Sequence, residues 1–166
     1  MRSSSLYLHD ENTIEKTVII ARPVKTVYDF YRDFRNLPKF IGDVMNVVVI
    51  NPTTSRWTIQ GPFGIQTHWT VEIVEEHLNE FLHYRTVSSP RWRTSWKIYF
   101  CPEPEANQSK VREVMTVPLG KLGRAALGLL GKLPAEEVSA NLHRLKQVLE
   151  TGKVTDTSYS ISGKFR

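Results

Sequence analysis

The alternation of apolar and polar residues divides the chain into one strand, a helical region, a series of strands and a final helix. β-branched residues are concentrated in 13–21, and Pro23 then suits the first turn of a helix. Apolar residues recur in that helix at spacings of three and four, which predicts one face against a core. The residues of this apolar stripe are Val24, Val27, Tyr31 and Phe34. A second short helical turn is expected over 36–40.

Six further strands are predicted between residues 44 and 117, because short apolar runs there alternate with turn-forming Asn, Pro and Gly. Their expected ranges are 44–50, 55–60, 68–73, 81–87, 91–100 and 110–117. In 68–73 every second residue is apolar, as expected for a sheet with one face buried and the other in water. The short turns between these strands favour an antiparallel sheet.

One long amphipathic helix follows, opened by Pro134 and ended at Thr151 and Gly152. The predicted fold is α+β: a curved, seven-stranded antiparallel sheet wraps around this helix, with two short helices after the first strand. Because such a sheet curves strongly, we expect a cavity between the sheet and the helix. The domain is expected to cover 13–152, between a flexible N-terminal segment, 1–12, and a flexible C-terminal tail, 153–166.

Composition agrees with a globular protein of 166 residues, since 40% of them are hydrophobic and 23% are charged. The single cysteine, Cys101, excludes an internal disulfide and favours a reducing compartment. No stretch approaches the roughly 20 apolar residues of a membrane-spanning helix. We therefore expect a cytoplasmic protein, whose net charge of +5 permits attraction to anionic partners.

Several kinds of chemistry lack their sequence motifs. There is no G-x-S-x-G or H-E-x-x-H motif and no nucleotide-binding glycine loop. His68, His77 and His83 lack the compact spacing of metal ligands, so we predict no metal and no cofactor. Within 91–100 the basic residues and the tryptophans alternate onto opposite faces, which argues against nucleic-acid binding.

Glu113 is unusual because it alternates with Val111, Met115 and Val117 on the expected buried face of the last strand. A carboxyl group in an apolar cavity either takes a partner or has a raised pKa, and a raised pKa suits general acid/base catalysis. The alternative is that a bulge turns Glu113 outward. Tyr84 is similarly either a hydroxyl group in the cavity or an ordinary core residue.

The segment before the last helix, KLGRAALGLLGKLP, combines basic, apolar and glycine residues. It has two interpretations. Residues 121–133 form a transient amphipathic contact with a membrane surface, or they form a lid or the packed start of a helix. Its three glycines, together with Gly120 directly before it, favour motion. The sequence leaves the oligomeric state open.

The chain resembles the polyketide cyclase/dehydrase branch of the START-like, helix-grip superfamily, which also contains coenzyme Q-binding and lipid-transfer proteins. The resemblance extends from about Ile14 to Gly163. It implies the helix-grip fold and a bound hydrophobic small molecule, but it brings no catalytic motif. It is carried by ARPVKTVYDFYRDFRNLPKF, SRWTIQGPFG, HWTVEIVEEHLNEFLHYRT and LGKLGRAALGLLGKLPAEEVSANLHRLKQVLETGK.

The sequence thus predicts a carrier or sensor of a small hydrophobic molecule such as a lipid, isoprenoid or polyketide. The predicted cavity lining is Trp57, Ile59, Trp69, Val71, Tyr84, Trp96, Ile98, Met115, Leu142, Leu145 and Leu149. The first alternative is a cyclase or dehydratase with acid/base candidates Glu113, Tyr84, His83 and Arg85. The second is a module that binds a protein partner and has no small-molecule chemistry. Converging polar groups inside one pocket would favour the enzyme.

Overall fold

The computed structural model describes residues 13–87, 93–105, 107–118 and 133–165, with positions 122, 123, 125 and 128 between them. Its strands and α-helices are β1 (Thr13–Ile20), α1 (Val24–Arg32), β2 (Val44–Asn51), β3 (Thr54–Gln60), β4 (Gln66–His77), β5 (Phe81–Thr86), β6 (Ser95–Pro102), β7 (Ser109–Thr116) and α2 (Pro134–Thr151). Two short 3-10 helices cover Phe34–Lys39 and Pro62–Gly64.

The seven strands form one antiparallel sheet in the order β1-β7-β6-β5-β4-β3-β2. In this order β1 pairs with β7 at one edge of the sheet, and β2 forms the other edge. Helix α2 packs along β1, and α1 lies against β6 and β7. The predicted α+β fold, with its seven strands and its long C-terminal helix, is confirmed.

Strand β4 differs from its prediction in length and in alternation. It extends to His77, and its pairing with β5 shifts register between Ile73 and Glu75. This bulge inserts one residue, so Glu76 pairs with the inward-facing Leu82, and the alternation read from 68–73 does not continue. Strand β6 begins at Ser95, and the predicted strand residues Arg91 and Trp92 lie outside the described part of the chain.

The buried inner face of the sheet is built around aromatic rings. Tyr84 stacks on Trp96 with ring centroids 5.2 Å apart, and Phe34 meets the edge of Tyr84 at 5.0 Å. Tyr28, which the predicted stripe of α1 omitted, is also buried and packs on Phe100. These contacts join α1 and the first 3-10 helix to the centre of the sheet, where burial of aromatic surface contributes strongly to stability.

The sheet has two distinct ends. At the upper end, Thr116 pairs with both Thr13 and Ser95, and the β3–β4 turn lies at the same end. At the lower end lie the β2–β3, β4–β5 and β6–β7 turns. The Glu150 carboxylate accepts a hydrogen bond from the Ala21 N–H at the lower end of β1, so α2 runs from the upper end to the lower end.

Arg144 is a buried cation in α2 that holds three parts of the chain together. Its side chain is fully buried and donates hydrogen bonds to the carbonyl oxygen of Phe40 (2.8 Å), that of Ser158 (2.6 Å) and the Asn141 side chain (2.6 Å). Burial lowers the pKa of Arg144. Because its donors meet several acceptors, the desolvation of the guanidinium is compensated.

The C-terminal segment, residues 153–165, contacts the same region. Lys164 donates to the carbonyl oxygens of Ile41 and Val44, and the Gly42 carbonyl accepts a hydrogen bond from the Ile161 N–H. A Cβ atom at Gly42 would lie 2.4 Å from the Tyr159 oxygen, so only glycine allows this approach. These contacts define the path of the segment and not its mobility, so the flexibility predicted for the tail stays a prediction.

Replacing Arg144 should test this linkage. Arg144→Leu leaves the acceptors at Phe40, Ser158 and Asn141 without their donor, so we expect the free energy of unfolding to fall by about 2–4 kcal/mol in urea titrations. Arg35→Leu is the control, because Arg35 is exposed and pairs with Asp33 at the surface, where an ion pair contributes little to stability. Equal losses in the two variants would contradict the role given to Arg144.

Candidate functional site

A cluster of three polar side chains lies on the largely apolar inner face. The hydroxyl oxygens of Tyr31, from α1, and Tyr84, from β5, are 2.8 Å apart and fully buried. Glu113, from β7, is 6% exposed and pairs in register with Ile98 of β6. Of the two positions that the sequence left open for Glu113, the structure shows the inward one and not the outward one with a bulge.

Burial raises the pKa of Glu113 to about 8. Among the described residues, no hydrogen bond or ion pair offsets this effect, and its register neighbour in β1, Lys16, forms no ion pair with it. Burial also raises the pKa of Tyr84 and of Tyr31, and the nearby Glu113 charge adds to both shifts. The three groups therefore share one electrostatic environment.

These pKa values determine what the cluster offers near neutral pH. Glu113 is mainly a neutral carboxylic acid, which has one O–H donor. One tyrosine hydroxyl donates to the other, so a single phenolic hydrogen of Tyr31 and Tyr84 remains for another acceptor. The cluster thus presents two O–H donors within an apolar face.

All eleven residues predicted to line the cavity lie in or against the core of the inner face. Trp57, Ile59, Val71, Tyr84, Trp96, Ile98, Leu142 and Leu145 are buried, and Trp69, Met115 and Leu149 are partly buried against them. Several of the rings touch each other: Trp96 lies 6.0 Å from Trp57 and 6.4 Å from Trp69, centroid to centroid. The structure brings the residues together, and their role in ligand binding stays a prediction.

Two of the acid/base candidates lie on the other side of the sheet. His83 and Arg85 alternate with Tyr84 along β5 and face outward, where the His83 Nε2 atom is 2.9 Å from the Ser95 hydroxyl oxygen. Burial, followed by the charge of Lys97, lowers the pKa of His83. Arg85 lies 3.7 Å from Glu72. The structure therefore does not bring His83 and Arg85 together with Glu113, and strand alternation already contained this information.

Tyr31 belongs to the site, but the sequence analysis counted it only as a core residue of α1. Its hydroxyl is satisfied by Tyr84, which is 53 residues away in the chain. The sequence did contain a signal for this role of Tyr31, namely a tyrosine on the buried stripe of a helix. A buried tyrosine hydroxyl usually requires a hydrogen-bond partner. The identity of that partner depends on how α1 crosses the sheet.

A cavity of about 500 Å³ lies at the lower end, between α1, the first 3-10 helix and the β2–β3 turn, where the sequence did not predict one. Phe34 forms part of its wall and also contacts Trp57 and Tyr84. The charged residues of its wall are Asp29, Arg32, Asp33 and Arg35. Since Arg32 binds Glu76 and Arg35 binds Asp33, both arginines of this wall already have partners.

The sequence of residues 11–150 matches the family described as polyketide cyclase/dehydrase and lipid transport, and the chain belongs to this family. The resemblance noted from the sequence is thereby confirmed. A search among curated proteins finds no significant match.

Solved structures share the fold. A crystal structure of a Deinococcus radiodurans protein has a TM-score of 0.65 and 24% identity, with 84% of this chain and 98% of that chain covered. A START superfamily protein from Mycobacterium smegmatis has a TM-score of 0.61 and 14% identity, over 83% and 94% of the two chains. A Nitrosomonas europaea protein reaches 0.67 at 12% identity, over 86% and 97%. These likenesses show the helix-grip architecture.

The described residues contain no group of three or more His, Cys, Asp or Glu side chains placed to hold a metal ion. They also form no helix that is long and apolar enough to cross a membrane. Most of 121–133, the segment predicted to contact a membrane or form a lid, lies outside them.

The raised pKa of Glu113 predicts a specific pH dependence of stability. The folded pKa of about 8 exceeds the reference value of 4.5, so wild-type protein loses stability relative to Glu113→Gln as pH rises from about 4.5 to 8. The difference in unfolding free energy should grow by roughly 3–5 kcal/mol over this window and then level off. Urea titrations at a series of pH values measure it.

Glu113→Leu is the control for this experiment. It removes the same titration with a different side chain, so its stability relative to wild type should change with pH in parallel with that of Glu113→Gln. A difference between wild type and both variants that stays constant from pH 5 to 8 would place the Glu113 carboxyl in water.

Proposed function

We propose that this protein binds a small, mostly apolar molecule between the inner face of the sheet and α2, and that the molecule carries a hydrogen-bond acceptor. The observation that supports this most directly is Glu113, a buried carboxyl group without a hydrogen-bond partner among the described residues. An unpaired polar group in such surroundings costs stability and calls for an explanation. A bound acceptor next to Glu113 and the tyrosine pair supplies one.

The surroundings of Glu113 favour an apolar ligand body. Ile98 and Val111 are buried beside it, and the partly buried Met115 and Trp69 lie toward the upper end of the same face. Apolar pockets with a few placed polar groups are typical of small-molecule sites, in which apolar contact provides affinity and the polar groups fix orientation. A ketone, ester or quinone oxygen is the kind of acceptor that two O–H donors recognise.

The same cluster favours a second candidate, a cyclase or dehydratase. Two phenols and a carboxylic acid converge on one face, and an acid with a pKa of about 8 can both donate and accept a proton near neutral pH. In a dehydration, the Glu113 carboxylate would take the proton from the carbon next to a substrate carbonyl, which leaves an enolate, and would then give that proton to the departing hydroxyl group. The hydroxyl leaves as water while the carbon–carbon double bond forms, so Glu113 returns to its starting carboxylate. The free phenolic hydrogen would meanwhile stabilise charge on a substrate carbonyl oxygen.

A carrier or sensor remains our first proposal, because binding requires only the apolar face and the acceptor contact. A protein-binding module without small-molecule chemistry would leave Glu113 unexplained. The cytoplasmic location, the absence of cofactors and the absence of nucleic-acid binding are likewise proposed from the sequence.

An uncharged naphthalene probe tests where an apolar molecule binds. Trp96→Glu places a charge on the inner face, so we expect probe affinity to fall about tenfold or more in fluorescence titrations. Lys97→Glu is the control, because Lys97 is exposed on the opposite face of the same strand. It should leave probe affinity unchanged.

A second variant protects this test against a folding defect. Met115→Trp adds apolar volume beside Trp96, its register neighbour, and should weaken probe binding without introducing a charge. Circular dichroism establishes that each variant is folded. Wild-type affinity in folded samples of both Trp96→Glu and Met115→Trp would rule out binding at this face.

A pair of probes tests the proposed acceptor contact. Tyr84→Phe keeps the ring and removes the hydroxyl, so affinity for a ketone probe should fall about 3–10-fold, whereas affinity for the matching hydrocarbon should not change. Tyr99→Phe, on the outer face, is the control. If ketone and hydrocarbon affinities respond identically to Tyr84→Phe, the Tyr84 hydroxyl does not contact the ligand.

A further inference from the structure

Strand β2 forms one edge of the sheet, and its exposed side chains are mostly apolar. Its sequence, VMNVVVIN, contains no charged residue and no proline. Val48, Val49 and Ile50 are 54%, 48% and 52% exposed. Edge strands of soluble proteins usually carry charges, prolines, bulges or a covering segment, because an open apolar edge pairs readily with another strand. The β2 edge lacks the first two of these protections.

The direction of the backbone groups in β2 follows from its pairing with β3. The Gln60 N–H donates to the Asp43 carbonyl oxygen, so the even-numbered residues of β3 turn their backbone groups toward β2. In the regular stretch of β2, 46–49, the even-numbered residues pair with them in register. Val47 and Val49 therefore point their N–H and C=O groups away from β3, toward the open side of the edge. Register shifts on either side confine this pattern to 46–49.

Elsewhere, side chains from other segments cover the edges of the sheet. On β1, the opposite edge, Lys146 of α2 donates a hydrogen bond to the Ile19 carbonyl oxygen. At the start of β2, Lys164 donates to the Val44 carbonyl oxygen. Within the described part of the chain, no hydrogen bond from another segment reaches the outward backbone groups of 47–49. The middle of the β2 edge is therefore open to pairing with a further strand.

We propose that two copies of this chain pair through their β2 edges and form an antiparallel dimer. With the two-fold axis at Val48, Val47 of each copy lies opposite Val49 of the partner subunit, and each such pair exchanges two backbone hydrogen bonds. These four bonds satisfy the outward groups of both edges. Val48, which pairs with the exposed Arg56 on the outer face, then lies against Val48 of the partner subunit, so two apolar side chains cover each other.

Charge permits this contact although each copy carries a net charge of +5. The paired strands bring no charged side chain opposite another, because β2 has none. Arg56, the register partner of Val48 in β3, lies three strand spacings, about 14 Å, from Arg56 of the partner subunit, which exceeds the Debye length of about 8 Å at physiological salt. A second copy matches the uncharged apolar edge by symmetry, whereas the strand of another protein would need the same pattern. The proposal does not depend on ligand binding inside the fold.

Sedimentation velocity of the full chain tests the proposal. Wild-type protein should dimerise as its concentration rises, and it should form no larger species, because one symmetric edge contact closes on itself. Val48→Lys places two like charges directly opposite each other on the two-fold axis, so the dissociation constant of the dimer should rise at least about tenfold. Val48 is exposed, so the fold tolerates this change, and circular dichroism establishes that the variant is folded.

The matched control is Val74→Lys. Val74 is 43% exposed in β4, which lies between β3 and β5 and away from both edges, so this variant makes the same change at a comparable exposure. It should dimerise as wild type does.

Hydrogen exchange at residue resolution tests the geometry of the dimer. The amides of Val47 and Val49 should exchange at least about tenfold more slowly in the dimer than at a dilution that favours the monomer. The Val48 amide, which faces β3 in both states, should change far less. This measurement uses wild-type protein alone, so it tests the proposal even if Val48→Lys does not fold.

Three results would overturn the proposal. Wild-type protein could stay monomeric up to about 1 mM, in which case any strand that covers this edge comes from another protein. A dimer could form without protection of the Val47 and Val49 amides, which would place the contact elsewhere on the surface. Finally, equal losses of dimer in Val48→Lys and Val74→Lys would show that added charge, and not a change at the β2 edge, weakens the contact.

Discussion

Burial of one face of a curved sheet is the constraint on which the rest of this structure depends. Seven strands present alternate residues to the same side, and this side is covered by α2, α1 and the first 3-10 helix. Aromatic rings occupy its centre, with Tyr84 in contact with Phe34, Trp57 and Trp96. Because the face is apolar and excludes water, every polar group placed on it carries a large energetic consequence.

Glu113 and Arg144 show two solutions to this constraint. Arg144 is fully buried, but its guanidinium meets backbone and side-chain acceptors from three parts of the chain, so its burial stabilises a defined arrangement. Glu113 has no such set of partners among the described residues, and its pKa rises instead. A buried charge whose hydrogen bonds are made is understandable as structure, whereas a buried neutral acid without a partner among the described residues is the basis of the proposed ligand contact.

The two ends of the sheet differ in the turns, contacts and cavity that lie there. The lower end holds the acidic turns, the contacts between α1 and the sheet, and the cavity beside Arg32. The upper end holds the exposed Phe63 turn and the start of α2. Met115 and Trp69 lie toward the upper end of the inner face, so the proposed ligand site is nearer to that end than the cavity beside Arg32 is.

The local sequence pattern was sufficient to predict the strands and helices, and to predict on which side of the sheet most residues lie. Period-two alternation predicted the inner face for Glu113 and for the eight lining residues of the strands, and the stripe of α2 identified Leu142 and Leu145 as buried. The same alternation implied an outward position for His83 and Arg85, so naming them as acid/base candidates was wrong. Alternation could not anticipate the bulge in β4, because a bulge depends on how two strands pair and not on either strand alone.

Only the tertiary structure decided which groups meet. The contact between Tyr31 and Tyr84, the acceptors around Arg144 and the cavity beside the first 3-10 helix each join segments far apart in the chain. Periodicity reports the direction of a side chain relative to its own element, whereas these contacts depend on how α1 crosses the sheet and on the path of residues 153–165. The sequence alone determined an acid among the apolar residues of one strand face and left its direction open. The folded chain decided that Glu113 is buried, that two tyrosines share its environment and that no cation neutralises it among the described residues.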